Sequence, residues 1–353
     1  MKIITVIGAR PQFIKAAVVS RAMQQAGIEE CILHTGQHYD YAMSELFFSQ
    51  LGLPAPKWHL NCGNDITLMR ETILPILREE RPDIVLVYGD TYSTLAGAQA
   101  AHDLHIPIAH VEAGLRSFND TMPEEHNRIE TDRMATWLFC PTRTAVDNLH
   151  REGYEQGIYH VGDVMLDAAR IYTPDESTQL SILQQYGIVS KSFAVATIHR
   201  ASTAENEQAI RSIWEALAQL PYEVILPLHP HTAKTVAASD VLQNTLAKAE
   251  NIHVIEPVGY LEMLVLERHA KLIFTDSGGI QKEAFFQGTP CITLREETEW
   301  TETVEAGWNK LTGIDTQRIV QAASEPFAKQ PIMDFGDGKC AQLIIEILCQ
   351  NGY

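Results

Sequence analysis

Three glutamates lie within one short stretch of the chain, HVEAGLRSFNDTMPEEHNR. They are Glu112, Glu124 and Glu125, and a fourth acid, Asp90, follows the apolar run IVLVYG. Carboxylates that converge in a partly dry site have their pKa values pushed apart, so one can hold a proton while another is ionised at neutral pH. We interpret Asp90, Glu112 and Glu124 as acid and base candidates. The alternative for Glu124, and still more for Glu125, is a place in the first turn of a helix, where acids are favourable.

A second motif, GARPQFIK at residues 8–15, predicts an anion site. A glycine turn and a proline that can open a helix are followed by a lysine one turn further in. A helix N-terminus flanked by Arg10 and Lys15 would bind a diphosphate. The alternative is a pair of basic residues on a solvated helix face. Since the motif is neither G-x-G-x-x-G nor a Walker loop, it does not favour a dinucleotide or ATP.

The run TDSGGIQKEAFFQGTP, later in the chain, predicts a second anion site at the start of a helix. Ser277, Gly278 and Gly279 would present a hydroxyl and backbone N–H groups at the start of a helix, where glycine lets an anion approach closely. Glu283 lies one turn further on and can accept hydrogen bonds from two vicinal ribose hydroxyls. The combination predicts a nucleotide site. For Glu283 alone, the alternative is a favourable interaction with the helix dipole.

Histidines follow two of the later apolar runs. His199, in VATIHR, is a candidate contact to phosphate or sugar, and its alternative is a structural role at a strand end. His229 and His231 alternate around a proline with no third ligand spaced nearby, so we expect no metal site. We expect no cofactor either.

These candidates follow runs rich in Val and Ile. The runs alternate with stretches in which apolar residues recur with the period of a helix. The runs are too continuously apolar for a half-exposed sheet and favour parallel strands covered on both faces. They are KIITVIG, CILHTG, DIVLVYGD, PIAHVEAG, WLFCPT, IYHVG, FAVATIHR, EVILPLHP, IHVIEPV, KLIFTDSGG and PCITLRE. The predicted fold class is α/β, with two doubly wound, Rossmann-like domains.

The polar stretch IYTPDEST places the domain boundary near residue 172. An N-terminal domain of residues 1–172 would carry the sugar-binding and acid/base residues, and a C-terminal domain of residues 173–353 would bind the nucleotide. The final helical stretch, CAQLIIEILCQ, could pack on either domain. Open α/β sheets bind ligands beyond the carboxyl ends of their strands, so we expect the active site in the cleft between the domains.

Composition narrows the class of ligand. The 353 residues carry a formal net charge of -18, which argues against nucleic acid or an anionic membrane as a partner. The six cysteines show no paired spacing and indicate buried thiols in a reducing cytoplasm. The first apolar run, IITVIG, is too short for a signal peptide or a membrane span. We expect a cytoplasmic protein that binds a small anionic ligand.

Taken in order, several motifs resemble the non-hydrolysing UDP-N-acetylglucosamine 2-epimerases over nearly the whole chain. They are GARPQFIK, TGQH, YGDT, HVEAGLRS, PEEHNR, IHR, DSGGIQKEA and GDG. The resemblance implies a glycosyltransferase-B-like fold, a homodimer and no nicotinamide. It also implies interconversion of UDP-GlcNAc and UDP-ManNAc, for surface polysaccharide precursors, by anti elimination of UDP and re-addition through a 2-acetamidoglucal.

The resemblance also implies roles for individual residues. Asp90, Glu112 and Glu124 would be the acid/base carboxylates, and His199 would lie near the leaving diphosphate. The implied UDP contacts are Arg10, Lys15, Ser277, Gly278, Gly279 and Glu283.

The sequence departs from the best-known members of this family. After Thr298 and Glu299 those enzymes carry an arginine, where this chain has Trp300. In the uridine-side loop, Val258 and Met263 stand where a glutamine and a phenylalanine are usual. At the activator site of the bacterial members this chain reads Gln-His-Tyr-Asp at residues 37–40. A lost cation and a gained acid there predict little activation by a second UDP-sugar.

The run TEWTETVEAGWN, with GARPQFIK and LRSFNDTMPEEHNR, looks closer to the branch that includes UDP-2,3-diacetamido-2,3-dideoxyglucuronate 2-epimerases. A uronate would require a cation near C6, for which Arg116, Arg128 and Arg133 are candidates.

Two other functions are compatible with the predicted fold. One is a retaining glycosyltransferase that passes a sugar from UDP to an acceptor, and the other is an inactive UDP-sugar sensor. The three carboxylates argue against both, because neither function needs a set of proton-transferring acids.

Overall fold

The computed structural model describes residues 1–37, 48 and 50–351. The chain divides into two compact units. The first contains Met1–Ile171 and the chain from Met333 onward, and the second contains Tyr172–Ile332. Among the helices of the described residues, none is long and apolar enough to cross a membrane.

Within the described residues, the first unit contains a parallel sheet of seven strands. In chain order they are β1 Lys2–Ile7, β2 Glu29–His34, β3 Trp58–His59, β4 Ile84–Tyr88, β5 Ile108–Val111, β6 Trp137–Cys140 and β7 Ile158–His160. Across the sheet the order is β3-β2-β1-β4-β5-β6-β7, so the order reverses between β1 and β4. Open α/β sheets bind ligands beside such a switch point.

Six helices of the described residues follow strands of the first unit. They are α1 Arg10–Gln25, α2 Ile66–Glu80, α3 Tyr92–Asp103, α4 Pro123–Met134, α5 Arg143–Arg151 and α6 Val164–Tyr172. Helices α1 to α5 each lead to the next strand in chain order, and α6 follows the last strand of the sheet. Local sequence sets several of their starts. Asp65 accepts a hydrogen bond from Leu68 N at the start of α2, and α1 and α4 have proline in their first turn.

The second unit has the same plan, with a parallel sheet of six strands in its described residues. The strands are β8 Phe193–Thr197, β9 Glu223–Pro227, β10 Ile252–Ile255, β11 Leu272–Thr275, β12 Cys291–Thr293 and β13 Asn309–Leu311. Their order is β10-β9-β8-β11-β12-β13, with the switch point between β8 and β11. The helices are α7 Glu176–Gln185, α8 Ala201–Ala204, α9 Glu207–Leu217, α10 Pro230–Ala237, α11 Asp240–Lys248, α12 Tyr260–His269, α13 Gly278–Phe286, α14 Thr301–Glu305 and α15 Thr316–Ser324.

Strand β8 shows why the apolar runs are continuous. Ala194 and Ala196 belong to a buried cluster with Trp214, whereas Phe193 and Val195 belong to a second cluster with Leu266. Successive side chains point to opposite faces of a sheet, and here both faces are covered. The prediction of doubly wound α/β domains is confirmed.

After Ile332 the chain returns to the first unit and ends there in α16, Cys340–Asn351. Helix α16 packs against α1. Asp167 accepts hydrogen bonds from Cys340 N (3.1 Å) and Ala341 N (2.8 Å) and so caps the helix. Gly162, at φ +85°, lies so close to the returning chain that a Cβ there would be 2.6 Å from the Phe335 carbonyl oxygen.

Ten of the eleven quoted runs contain a whole strand, and CILHTG contains the last four residues of β2, whereas β3 and β13, which span two and three residues, were not predicted. The proposed boundary near residue 172 compares with a division after Ile171. The second unit ends at Ile332 rather than at 353, because the last helix buries Ile344 and Leu348 within the first unit.

Candidate active site

The turn after β4 carries the first predicted acid, Asp90. Its Oδ2 is 2.5 Å from Nη2 of Arg128, and its backbone carbonyl accepts a hydrogen bond from Asn127 Nδ2 at 2.9 Å. Both partners lie on α4 and are buried. The acid at the end of one strand is therefore held by the helix that follows the next strand.

Glu112 follows β5, the neighbour of β4, and its side chain is 7% exposed. Its Oε1 lies 2.6 Å from Nζ of Lys15 and 3.8 Å from Nη2 of Arg128. The residue has φ +72°, a left-handed conformation that is strained for glutamate and concentrates at functional sites. Beside it, Gly89 has φ +65°, and a Cβ there would be 3.3 Å from both Glu112 Oε1 and Lys15 Nζ. The acids of two strands thus meet two buried cations.

Arg10 and Lys15 both lie on α1, as the motif predicts. Lys15 is 6% exposed and pairs with Glu112. Gln12 Oε1 accepts the N–H groups of Gly8 (2.8 Å) and Ala9 (3.0 Å), while its Nε2 donates to the Tyr88 carbonyl. Arg10 begins the helix and is partly buried. Gln12 therefore fixes the turn between β1 and α1.

The two glutamates of α4 differ. Glu125 is 3% exposed and accepts hydrogen bonds from Ser117 N (2.8 Å), Ser117 Oγ (2.9 Å) and Phe118 N (3.1 Å). It fixes the loop between β5 and α4, as expected of the weakest acid/base candidate. Glu124 is half-buried in the first helical turn, and within the described residues its side chain makes no hydrogen bond or ion pair.

A buried polar network lies behind these acids. Asp132 Oδ1 is 2.7 Å from Nδ1 of His110, and its Oδ2 is 2.8 Å from Nη2 of Arg116. Arg116 also donates to both carboxylate oxygens of Glu152. Burial opposes ionisation of Asp132, but the hydrogen bond from His110 and the positive charge of Arg116 outweigh it and lower the pKa of Asp132.

The arginines considered for a uronate are already engaged in ion pairs. Arg116 is 4% exposed and lies between Asp132 and Glu152, with which it forms ion pairs. Arg128 pairs with Asp90, and Arg133 forms an exposed pair with Glu130.

In the second unit the predicted His199 lies just beyond β8 and its side chain is 37% exposed. Asp276, wholly buried after β11, accepts the backbone N–H groups of His199 (3.1 Å) and Arg200 (3.0 Å). The His199 Nδ1 atom is 3.5 Å from Asp276 Oδ1. A carboxylate on the neighbouring strand thus fixes the loop that carries His199.

Ser277, Gly278 and Gly279 form the start of α13, as predicted. Ser277 Oγ caps the helix by accepting from Ile280 N at 3.4 Å. A Cβ on Gly278 would be only 2.2 Å from Oε1 of Glu299, so a larger residue here would displace that carboxylate. The carboxylate of Glu299 lies against a helix start, where a negative charge is favourable.

Glu283, on the same helix, is 6% exposed and lies among other titratable groups. Burial, reinforced by the charge of Glu283, raises the pKa of Glu267 well above its usual value. The same two causes raise the pKa of the Tyr260 hydroxyl. Burial and the charge of Glu283 thus both favour the neutral forms of Glu267 and Tyr260.

The residues that depart from the family pattern lie in packed surroundings. Trp300 is 2% exposed, and the ammonium group of Lys282 lies 4.2 Å from its ring centroid. Val258 and Met263 are partly buried against the core of the second unit. At the predicted activator run, Gln37 accepts a hydrogen bond from Ser93 N, and residues 38–40 lie outside the described residues.

His229 accepts a hydrogen bond from His231 N at 3.3 Å and so begins α10. In the part of the chain that the structure describes, no cluster of three or more His, Cys, Asp or Glu side chains could hold a metal ion.

Sequence reasoning missed Gln12, Asp132 and Asp276. All three are polar and wholly or almost wholly buried. Each accepts hydrogen bonds from main-chain N–H groups of a loop that carries a candidate residue. An acid directly after an apolar strand was the available signal for Asp276. Gln12 and Asp132 lie inside helices, where nothing in the sequence distinguishes them from surface residues.

The chain is similar to known proteins over almost its whole length. The family model described as UDP-N-acetylglucosamine 2-epimerase matches residues 21–349. A UDP-2,3-diacetamido-2,3-dideoxy-D-glucuronate 2-epimerase of Pseudomonas aeruginosa is 47% identical, with 99% of this chain and 100% of that protein covered. A UDP-N-acetylglucosamine 2-epimerase homolog of Methanococcus maripaludis is 45% identical, with 99% of each chain covered.

Among solved structures, the Methanocaldococcus jannaschii UDP-GlcNAc 2-epimerase in complex with UDP-GlcNAc and UDP has a TM-score of 0.90 and 39% identity. The alignment covers 99% of this chain and 100% of that one. On the matched motifs, the shared fold and this coverage, the chain belongs to the UDP-N-acetylglucosamine 2-epimerase family.

Proposed function

We propose that the protein is a non-hydrolysing UDP-GlcNAc 2-epimerase that interconverts UDP-GlcNAc and UDP-ManNAc. The observation that carries the proposal is that Asp90 and Glu112 follow the neighbouring strands β4 and β5, where Arg128 contacts both carboxylates and Lys15 contacts that of Glu112. Carboxylates so held can exchange a proton with a sugar carbon, which a simple binding protein would not require.

The reaction breaks two bonds and re-forms them. The C1–O bond breaks and its electron pair leaves with UDP, while a carboxylate accepts the proton from C2 to leave 2-acetamidoglucal. UDP then returns to C1 as C2 receives a proton on its opposite face. The C2–H bond is not adjacent to a carbonyl, so departure of UDP runs ahead of proton removal. Positive charge then develops at C1, which nearby carboxylates stabilise.

The residues divide between the units by chemistry. Asp90, Glu112 and Glu124 are the proposed acid/base groups, and the Glu124 carboxylate makes no hydrogen bond or ion pair within the described residues. His199 is proposed to act beside the leaving diphosphate. The proposed UDP contacts are Arg10, Lys15, Ser277, Gly278, Gly279 and Glu283. Lys15 has a second proposed role, because its positive charge beside Glu112 favours the ionised form of that carboxylate.

A second candidate substrate is the UDP-linked diacetamido uronate. It is favoured by the 47% identity to the Pseudomonas aeruginosa enzyme named for that sugar. We also propose, as finer features of the same function, that the protein is a cytoplasmic homodimer that supplies precursors for surface polysaccharide.

Deuterium incorporation tests the proposal. The protein is incubated in heavy water with UDP-GlcNAc and, in parallel, with the UDP-diacetamido uronate, and the nucleotide sugars are recovered for NMR and mass analysis. We expect one deuterium at C2 in both epimers of the true substrate, because C2 is re-protonated from groups that exchange with solvent. Absence of exchange with both sugars would contradict an epimerase.

A further inference from the structure

His110 lies on β5, with its ring between two groups that accept hydrogen bonds. Its Nδ1 is 2.7 Å from Asp132 Oδ1, and its Nε2 is 2.7 Å from the carbonyl oxygen of Gly89. The side chain is wholly buried, so no solvent competes for either contact. This residue has no role in the proposed reaction, yet it contacts the turn that carries Asp90.

The two contacts fix the protonation of the ring. A carbonyl oxygen can only accept, so Nε2 carries a hydrogen. Asp132 also accepts from Arg116 Nη2 (2.8 Å) and from Gly114 N (3.2 Å), which favours its ionised form. An ionised carboxylate likewise only accepts, so Nδ1 carries a hydrogen as well. We infer that His110 is a buried imidazolium that positions the Gly89–Asp90 turn, a positioning residue for Asp90 that does not itself touch the sugar.

Three charged side chains lie around the ring. Asp132 approaches from α4, Arg116 from the loop after β5, and Glu152 from the end of α5, with its side chain 34% exposed. Burial, reinforced by the charge of Asp132, raises the pKa of both the Cys140 thiol and the Tyr154 hydroxyl, so these two neighbours are neutral. Asp132 is therefore the wholly buried carboxylate that faces both His110 and Arg116.

The functional part of the inference rests on the proposed function. Asp90 is held at its carboxylate by Arg128, at its carbonyl by Asn127, and through the preceding carbonyl by His110. Loss of the last contact would let the turn shift without removing the carboxylate. A displacement of about 1 Å at a reacting group can cost on the order of 100-fold in rate.

Nitrogen NMR tests the protonation directly. In protein labelled with ¹⁵N at histidine, His110 is identified by its contact with the Gly89 backbone. We expect two N–H correlations from its ring at about pH 8, where an ordinary histidine has lost its proton. A single N–H correlation would overturn the inference. This readout needs neither a variant nor activity, so it stands apart from any failure of the proposed function.

A matched pair of variants tests the positioning role. We expect His110→Gln to lower kcat for epimerisation by about 10- to 100-fold while KM and UDP affinity stay nearly unchanged. His150→Gln, an exposed histidine that contacts the Tyr154 carbonyl, is the control and should leave all three unchanged. A folded His110→Gln protein with wild-type kcat would contradict positioning by His110.

Discussion

Arg128 contacts both acids that end the neighbouring strands β4 and β5. A guanidinium is always charged and offers several donors in a fixed plane, so it can hold two carboxylates near each other in one geometry. Lys15 adds a second cation on Glu112. The two carboxylates therefore share the positive charge of Arg128, and removing one of them would change the balance of charge around the other.

We predict the effect of replacing each of these two acids by its neutral amide. Glu112→Gln and Asp90→Asn should each lower turnover by about 100-fold or more, in the range that general acid/base groups supply. UDP binding, measured by calorimetry, should stay nearly intact because neither acid is a proposed UDP contact. Glu130→Gln is the control, since this surface acid on the same helix pairs only with Arg133 among the described contacts. Unchanged turnover in both site variants would show that the roles are misassigned.

The elements were predictable because each apolar run is long enough to form a buried strand and each is followed by a helical period. The candidate acids were predictable for a related reason, since parallel strands bring their carboxyl ends to one edge. The residues that form ion pairs with these acids were not predictable. Lys15 lies on α1, and its ion pair with Glu112 depends on how β1, β4 and β5 align, a tertiary fact that no local pattern carries.

Asp167, which caps the start of α16, should make the stability of the protein depend on pH. Burial raises the pKa of Asp167 to about 6, although the N–H groups of Ala341 and Cys340 oppose the rise. Between the two pKa values, Asp167 binds a proton in the folded protein but not in the unfolded chain, where its pKa is near 3.8. The contribution of this residue to stability therefore falls as pH rises from about 4 to about 6. Asp167→Asn should remove that fall, and its stability relative to wild type should improve with pH by up to about 3 kcal/mol.

Urea unfolding at about pH 4.5 and about pH 7.5 would measure this difference. Asp175 provides a comparison of opposite sign, because hydrogen bonds from Thr178 and Ser177 lower its pKa. Asp175 therefore stabilises the fold above its unfolded pKa, and that contribution is lost on acidification. Parallel curves for Asp167→Asn and wild type would rule out the assigned role of Asp167.

For the molecule as a whole, the return of the chain to the first unit makes α16 part of that unit's core. Ile344 is wholly buried there, whereas its neighbour Leu343 is 38% exposed. We expect Ile344→Ala to cost about 2 to 5 kcal/mol in the free energy of unfolding and Leu343→Ala less than about 1 kcal/mol. Hydrogen exchange in α1, against which α16 packs, should rise in the first variant only. Equal losses in the two variants would mean that α16 is not part of this core.

The same return has a consequence for synthesis on the ribosome. Residues 172–332 form a unit that is continuous in sequence, but the first unit needs the chain from Met333 onward to complete its packing. Multidomain chains commonly finish their N-terminal domain first as they emerge. Here the order of completion is reversed. The unit that begins first ends last, and while the second unit is being made, the surface of α1 that α16 will cover remains open to chaperones or to mispairing with another nascent chain.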